Sequence, residues 1–253
     1  MTEKINVFFH RLQKEFARLV DEYKLKQAEV KVTAKPLSPE GSIGSTKRKD
    51  YVLLKGKERL LQAEMMGCRG QAFTGSLGDF AGTLEDVLAL PLTNDYQRAV
   101  YTATLNAAVC HTGKVVNTIH CRNEGPELCA RQAVNYFQKN YGKPRILMIG
   151  YQPALAEALH QAFHLTVLDL DPANIGQEKN GVLIENGAIG LDKHLAACDV
   201  IFATGSTMCN DTADPLIQSG KPLVVFGTTG SGAAALLGIP RFCPESIDGV
   251  NTK

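Results

Sequence analysis

Apolar residues recur at helical spacing between positions 5 and 23: Ile5, Phe8, Phe9, Leu12, Phe16, Leu19, Val20 and Tyr23, with charges between them. That spacing predicts an amphipathic helix lying on a core. The rhythm then changes to period two over 28–35 (AEVKVTAK), which predicts a strand with one solvated face. Residues 51–54 and 60–66 read as two further strands joined by a basic turn over 55–59. The stretch 38–46 is dense in turn formers and reads as a loop. A short helix is expected from Thr83, with Asp86 three residues on to complete a cap, and a longer one over 94–110. The first part of the chain is therefore expected to be α+β.

A helix is expected from Pro126, a residue suited to a first helical turn, to the glycine stop at Tyr141-Gly142. Beyond Lys143 short, wholly apolar runs appear: 145–149 (RILMI), 165–170 (LTVLDL), 182–184, 199–203 (DVIFA) and 223–226 (LVVF). Helical segments such as 153–163 alternate with them. Strands that are apolar on both faces and alternate with helices predict a Rossmann-like parallel sheet with helices on both faces. The expected division is 1–118 for the α+β part and 119–253 for the Rossmann-like part, with a leading helix at about 126–141.

Composition adds an asymmetry to this picture. The 253 residues carry a formal net charge of +1. Residues 1–60 hold 14 Lys/Arg against 8 Asp/Glu, whereas residues 151–253 hold 5 against 11. Opposed charges on two units suggest that electrostatics helps them dock, so that salt would loosen them. No run approaches the roughly 18 apolar residues of a membrane span. The amino-terminal residues lack the apolar stretch of a secretory signal, and seven cysteines, an odd number, point to reduced thiols and a cytoplasmic protein. The basic run Lys47-Arg48-Lys49 comes with no nucleic-acid reading motif, so neither nucleic acid nor membrane is an expected partner.

In an open parallel sheet, ligands bind beyond the carboxyl ends of the strands. Those ends read Gly150-Tyr151-Gln152, Asp169, Thr204-Gly205-Ser206-Thr207 and Gly227-Thr228-Thr229-Gly230. Small, hydroxylated loops of this kind let backbone amides approach a ligand, and a following helix favours an anion. Asp169 lies 19 residues beyond Gly150, near the spacing at which a carboxylate binds ribose hydroxyls. The first turn is G-Y-Q-P rather than G-x-G-x-x-G, which disfavours ordinary NAD or NADP, and no P-loop or G-x-S-x-G elbow is present. The stretch 67–82 (GCRGQAFTGSLGDFAG) carries five glycines in sixteen residues. It reads either as a lid, with Gln71, Phe73 and Thr74 turned inward, or as a loop packed on its own sheet.

Sulfur and imidazole form a second constellation: Cys110-His111, His120-Cys121 and Cys129. These ligand types suit soft metals, although the spacing matches no zinc-finger pattern. His120 and Cys121 are the candidate metal ligands. Cys209 falls at the start of an expected helix, where a dipole favours thiolate, but Asp211 and Asp214 oppose that effect.

The chain resembles a two-domain family labelled for heavy-metal chelation. The resemblance is carried by GKERLLQAE, GQAFTGSLGDFAGTLEDVL, TATLNAA and HCRNEGPELCA, then by IGYQPALAEAL, VLDLDPANIG, ATGSTMCNDT and VVFGTTGSGAAALLG. It implies an enolase amino-terminal-like α+β domain followed by a Rossmann-like domain, in a family whose activity is not established. Together these readings lead to a small-ligand-binding or metal-handling protein with a cleft between the two units. The expected partner is a small molecule, an anion or a metal chelate, with a homo-oligomer as a further expectation. The candidate cofactors are a soft metal ion or a nucleotide-like ligand. The alternative is an enzyme using the same cleft with an adenosyl cofactor such as S-adenosylmethionine.

Overall fold

The amphipathic stretch folds as α1 (Val7–Glu22), burying Phe8, Phe9, Leu12, Phe16, Leu19 and Val20. The structure, a computed structural model, describes residues 7–34, 43–46, 48–51, 54 and 59–251. The alternating stretch becomes β1 (Glu29–Thr33), with Val30 and Val32 buried and Glu29 and Lys31 exposed. It pairs antiparallel with β2 (Arg59–Met65) on one side and β4 (Phe80–Thr83) on the other. A further strand, β3 (Cys68–Thr74), lies beyond β2 and completes a four-stranded sheet.

The glycine-rich stretch is thus mostly strand, with a loop only over 75–79 between β3 and β4. Its first half pairs with β2 along its whole length, from Met65 opposite Cys68 to Arg59 opposite Thr74. The connecting residues Met66 and Gly67 have φ of 47° and 77°, both positive as a two-residue primed hairpin turn requires. Gly70 serves packing, since a Cβ there would overlap the backbone of Ala103 and Ala107. Of the strand expected over 51–54, residues 52 and 53 lie outside the described residues, and neither Tyr51 nor Leu54 is in a strand. The Leu54 N–H donates to the Tyr51 carbonyl at 3.0 Å, a tight turn that extended chain cannot make. Residues 35–42, 47 and 55–58 lie outside the described residues, and with them much of the expected loop and basic turn.

Thr83 and Asp86 close the anticipated capping box at the start of α2 (Leu84–Leu88). The next helix, α3 (Asp95–His111), is buried at every position from Arg98 to Cys110, as a helix enclosed by other layers must be. Two more stretches follow expectation closely: α4 (Gly125–Tyr141), stopped by Gly142, and β5 (Arg145–Ile149).

The remainder alternates α5 (Pro153–Ala162), β6 (His164–Asp169), β7 (Glu178–Lys179), β8 (Val182–Asn186), α6 (Leu191–Ala197) and β9 (Val200–Thr204). A 3-10 turn (Gly205–Met208), α7 (Asp214–Gln218), β10 (Leu223–Phe226), α8 (Ser231–Leu237) and β11 (Arg241–Phe242) complete it. The strand order is β11-β10-β9-β5-β6-β8-β7, and all neighbours run parallel except β7 with β8. The short elements β7, β11, α6 and α7 span too few residues for hydrophobic period to reveal them.

One face of this sheet packs Phe202 against Phe137 (5.0 Å between ring centroids) and Phe226 (4.6 Å). The largest apolar core joins α1, the four-stranded sheet and α3 to Met208, Cys209, Ala213, Val225 and Ala233. Contact between the two parts is therefore chiefly apolar. Among the described residues, the ion pairs that join 1–118 to the rest are Arg48 with Glu157 and Arg98 with Asp211. Among the described residues, charge thus plays a small part in docking.

A fully buried amide crosses the seam in the interior. Asn106 of α3 is fully buried. Its Nδ2 donates to the carbonyls of Gln71 (2.8 Å), Thr229 (3.0 Å) and Thr228 (3.1 Å), and its Oδ1 accepts from the Gly232 N–H at 2.6 Å. Replacing Asn106 by Leu would leave these groups unsatisfied in the interior. Denaturant unfolding of Asn106→Leu is expected to show a loss of about 2–4 kcal/mol, from the cost of stranding several buried polar groups.

Candidate functional site

The order of the large sheet sets the place of the site. From β5 the chain passes to β6 on one side and later to β9 on the other, so the strand order reverses at β5. A crevice at such a switch point lies beyond the carboxyl ends of the strands. A cleft of about 480 Å³ opens there, large enough for one drug-sized molecule.

The residues anticipated at the strand ends divide into those that line the cleft and those behind it. Gly150, Tyr151, Gln152, Asp169, Thr204, Ser206, Thr207, Gly227 and Thr229 line it, and Phe73 and His120 come to it from the other side. Gly205 and Gly230 stand behind the rim, pressed together so closely that a Cβ on Gly205 would overlap the Gly230 backbone. Thr228 is wholly buried, and Gln71 and Thr74 sit within β3. The Gln71 side chain reaches the site indirectly: its Oε1 accepts the backbone N–H of His120 at 2.8 Å, and its Nε2 donates to Gln62.

The loops are held mainly by their own side chains. Asp169 accepts the backbone N–H of Tyr151 on one carboxylate oxygen and that of Asp171 on the other, both at 2.7 Å. Gln152 caps α5 by accepting the Leu155 N–H at 2.5 Å. Thr204 accepts from the Ser206 N–H, and Thr229 Oγ1 accepts from the Phe73 N–H at 3.0 Å. Amides of this kind are donors on which an anion would depend, and the chain's own oxygens occupy those of Tyr151, Leu155 and Ser206.

The walls are largely apolar. Tyr51, Phe73, Ile149, Leu168, Leu170, Leu191, Leu216 and Phe226 all line the cleft. Ser206, Asn210 and Thr212 add polar points, and Asp171 joins Asp169 near the ends of the strands. Tyr51 and Ile43 were not anticipated at the site. They arrive on the segment 43–51, which is tied down by Asn123 N–H to the Ile43 carbonyl (2.7 Å) and by Arg48 to Glu157 and Asp50. Arg48 also reaches Asn180, which donates to the Tyr151 hydroxyl at 2.8 Å.

His120 meets Phe73 edge to face, with centroids 5.3 Å apart. Its Nδ1 is sealed from solvent without a partner. Burial pushes its pKa down to about 4, although the backbone contact at Cys121 opposes the shift, so the ring is neutral at pH 7.

The thiols converge differently from the sequence pattern. Cys121 turns away from His120 and meets Cys129, with Cys243 close by. Cys110 pairs with Cys68 instead, and burial followed by that neighbour pushes its thiol up to about 12. Cys209 is packed in the large core. None of the seven cysteines is in a disulfide.

The fold and cleft define a two-sheet α/β protein with a ligand-sized crevice at the switch point of its parallel sheet. Residues 133–239 match the model of a family of unknown function, DUF364, described as "Putative heavy-metal chelation". A crystal structure of a DUF364 protein of unknown function from Pyrococcus horikoshii is similar, with 15% identity and a TM-score of 0.53. The match covers 89% of this chain and 80% of that one. Another, from Desulfitobacterium hafniense, has 15% identity and a TM-score of 0.48 over 71% of this chain and 72% of that one. At that identity the Pyrococcus likeness speaks for the fold alone. No curated protein matches the chain.

The residues do not fit the metal ion that the family description suggests. Among the described residues no three His, Cys, Asp or Glu side chains are grouped to hold one. His120 and Cys121 lie in different surroundings, one on the cleft wall and one among thiols. The fold also has no helix, among the described residues, long and apolar enough to cross a membrane.

His120 gives the site a pH signature. Its pKa is lower folded than unfolded, so between about 6.5 and 4 the unfolded chain binds the extra proton. Stability then falls as pH drops through that window, by up to about 3 kcal/mol at 1.36 kcal/mol per pKa unit. Urea midpoints of wild type and His120→Gln, followed from pH 7 to pH 4, are expected to converge or cross as the wild type loses ground. Parallel profiles would show that His120 is not the buried neutral group.

Proposed function

We propose that the chain is a small-ligand-binding protein whose cleft takes an uncharged or cationic, partly apolar organic molecule of nucleoside size. The observation that carries this reading is the convergence of four strand-end loops with Phe73, His120 and Tyr51 around one cleft at the switch point. A preference against a free anion is supported by the apolar walls and by the amides of Tyr151, Leu155 and Ser206, which already donate to Asp169, Gln152 and Thr204. Apolar walls with a few convergent hydroxyls are the usual make-up of an organic-ligand site. In this reading metal handling is restricted to a metal carried within an organic chelate.

A second reading, an enzyme with an adenosyl cofactor such as S-adenosylmethionine, uses the same cleft. It is favoured by Asp169 at the end of β6, where the carboxylate oxygens keep lone pairs for ribose hydroxyls, and by the neutral imidazole of His120 nearby.

Thermal-shift measurements with adenosine, S-adenosylmethionine and inorganic phosphate test the assignment. The two organic molecules are expected to raise the melting temperature and phosphate is not. Gly227 lies on the rim with φ +87°, and a Cβ added there would meet only open space, so Gly227→Val puts a side chain into the cleft. This variant is expected to weaken binding at least tenfold while costing about 1–2 kcal/mol of stability through the left-handed backbone. Unchanged binding in Gly227→Val would move the ligand elsewhere.

A further inference from the structure

Two thiols face each other just behind the cleft wall. Cys121 follows His120, which lines the cleft, and Cys129 lies one turn into α4, whose Pro126 lines it as well. A Cβ on Gly125, at the start of α4, would come within 2.8 Å of the Cys121 Cβ and 3.4 Å of its Sγ. Gly125 and Cys129 share one face of the helix, about one 5.4 Å turn apart. The Cys121 side chain therefore lies along the face that carries Cys129, and its thiol donates toward the Cys129 sulfur. That donation holds the Cys129 thiol below its ordinary value, helped by the Glu245 backbone N–H and the Arg241 guanidinium, against the effect of burial. The pair sits at the margin of the fold. Cys121 is 7% exposed and Cys129 8%, and Cys243 beside them is half-buried, whereas Cys209 is enclosed in the large core.

We propose that Cys121 and Cys129 are a redox modification site, a dithiol that hydrogen peroxide closes to a disulfide and a thiol reductant reopens, and that its closure acts on the cleft wall. The Cys129 thiolate attacks one oxygen of the peroxide, and the O–O bond breaks to leave a sulfenic acid and hydroxide. The Cys121 sulfur then attacks the Cys129 sulfur. The S–O bond breaks, and the Cys121 proton leaves with the oxygen as water. Two electrons pass from the thiols to the peroxide, and a dithiol reductant returns them as it becomes a disulfide itself. Cys110, which meets Cys68, starts no such reaction, because its thiol is pushed up to about 12 and the thiolate is the nucleophile. The turn between the two cysteines carries Asn123, which donates its N–H to the Ile43 carbonyl at 2.7 Å and accepts from the Ser45 N–H at 3.1 Å. Ile43 lines the cleft, so drawing Cys121 and Cys129 together pulls on that wall. The inference does not depend on which ligand the cleft takes.

The test treats the folded chain with hydrogen peroxide at pH 7, blocks the remaining thiols with an alkylating reagent and digests with trypsin without reduction. Cleavage after Lys114, Arg122 and Arg131 puts the two cysteines on neighbouring peptides, 115–122 and 123–131. These peptides are expected to appear joined, to separate on adding dithiothreitol, and to be absent as a joined pair before oxidation. Thiols counted in the unfolded chain should fall from seven to five. Cys121→Ser is expected to stop at a Cys129 sulfenic acid that dimedone labels, and Cys129→Ser to keep its six remaining thiols. Survival of all seven thiols in wild type, or a disulfide through any other pair, would overturn the site without recourse to either variant. Amide exchange at Asn123 is expected to differ by about threefold or more between the reduced and oxidised forms. Equal rates would overturn the effect on the cleft wall while the disulfide itself stood.

Discussion

The structure depends on one buried amide. Asn106 sits in a helix with no exposed face over its central turns, and its side chain satisfies carbonyls from β3 and from the loop that follows β10. In return the Gly232 N–H donates to it. An interior this dry makes each unsatisfied group expensive, so this residue helps to fix the relation between the two sheets. Gly70 reinforces the arrangement by allowing β3 to touch α3 at backbone distance. The Phe73 N–H then reaches Thr229, and the wall of the cleft is built from both parts of the chain.

That coupling explains why the site is organised before any ligand arrives. The strand-end loops are held by internal acceptors, chiefly Asp169, Gln152 and Thr204. The returning carboxyl end adds a further tie: Ile247 pairs with Ile119, and Val250 with Cys68. Residues 119–121 are thereby fixed between the two sheets. This places His120 on the cleft wall and sends Cys121 to the cluster of thiols, so the neighbours in sequence have separate environments.

Much of the large sheet was legible because its strands are short, apolar and bounded by glycine or helix signals. RILMI, LTVLDL and LVVF name their own burial. The glycine-rich stretch was misread because period and composition treat glycine as a breaker, whereas Gly67 makes a hairpin turn and Gly70 makes room for a helix. Nothing local distinguishes those uses from a loop. Of the site, the rim was readable from small residues after apolar runs. Tyr51 and Ile43 were not, since they reach the cleft from a segment whose local pattern says only turn. A lone asparagine in the apolar run TATLNAA was the one visible trace of Asn106.

By itself, the sequence determined the amphipathic helix, the buried parallel strands and the switch-point loops, because hydrophobic period and turn chemistry are local properties. Tertiary structure alone decided which of those loops face open space and which press on each other, as Gly205 and Gly230 do. It also decided that the amides of Tyr151, Leu155 and Ser206 are already occupied by the chain's own oxygens. Those outcomes depend on distances between residues far apart in the chain, and hydrogen-bond satisfaction and desolvation are set only when such residues meet.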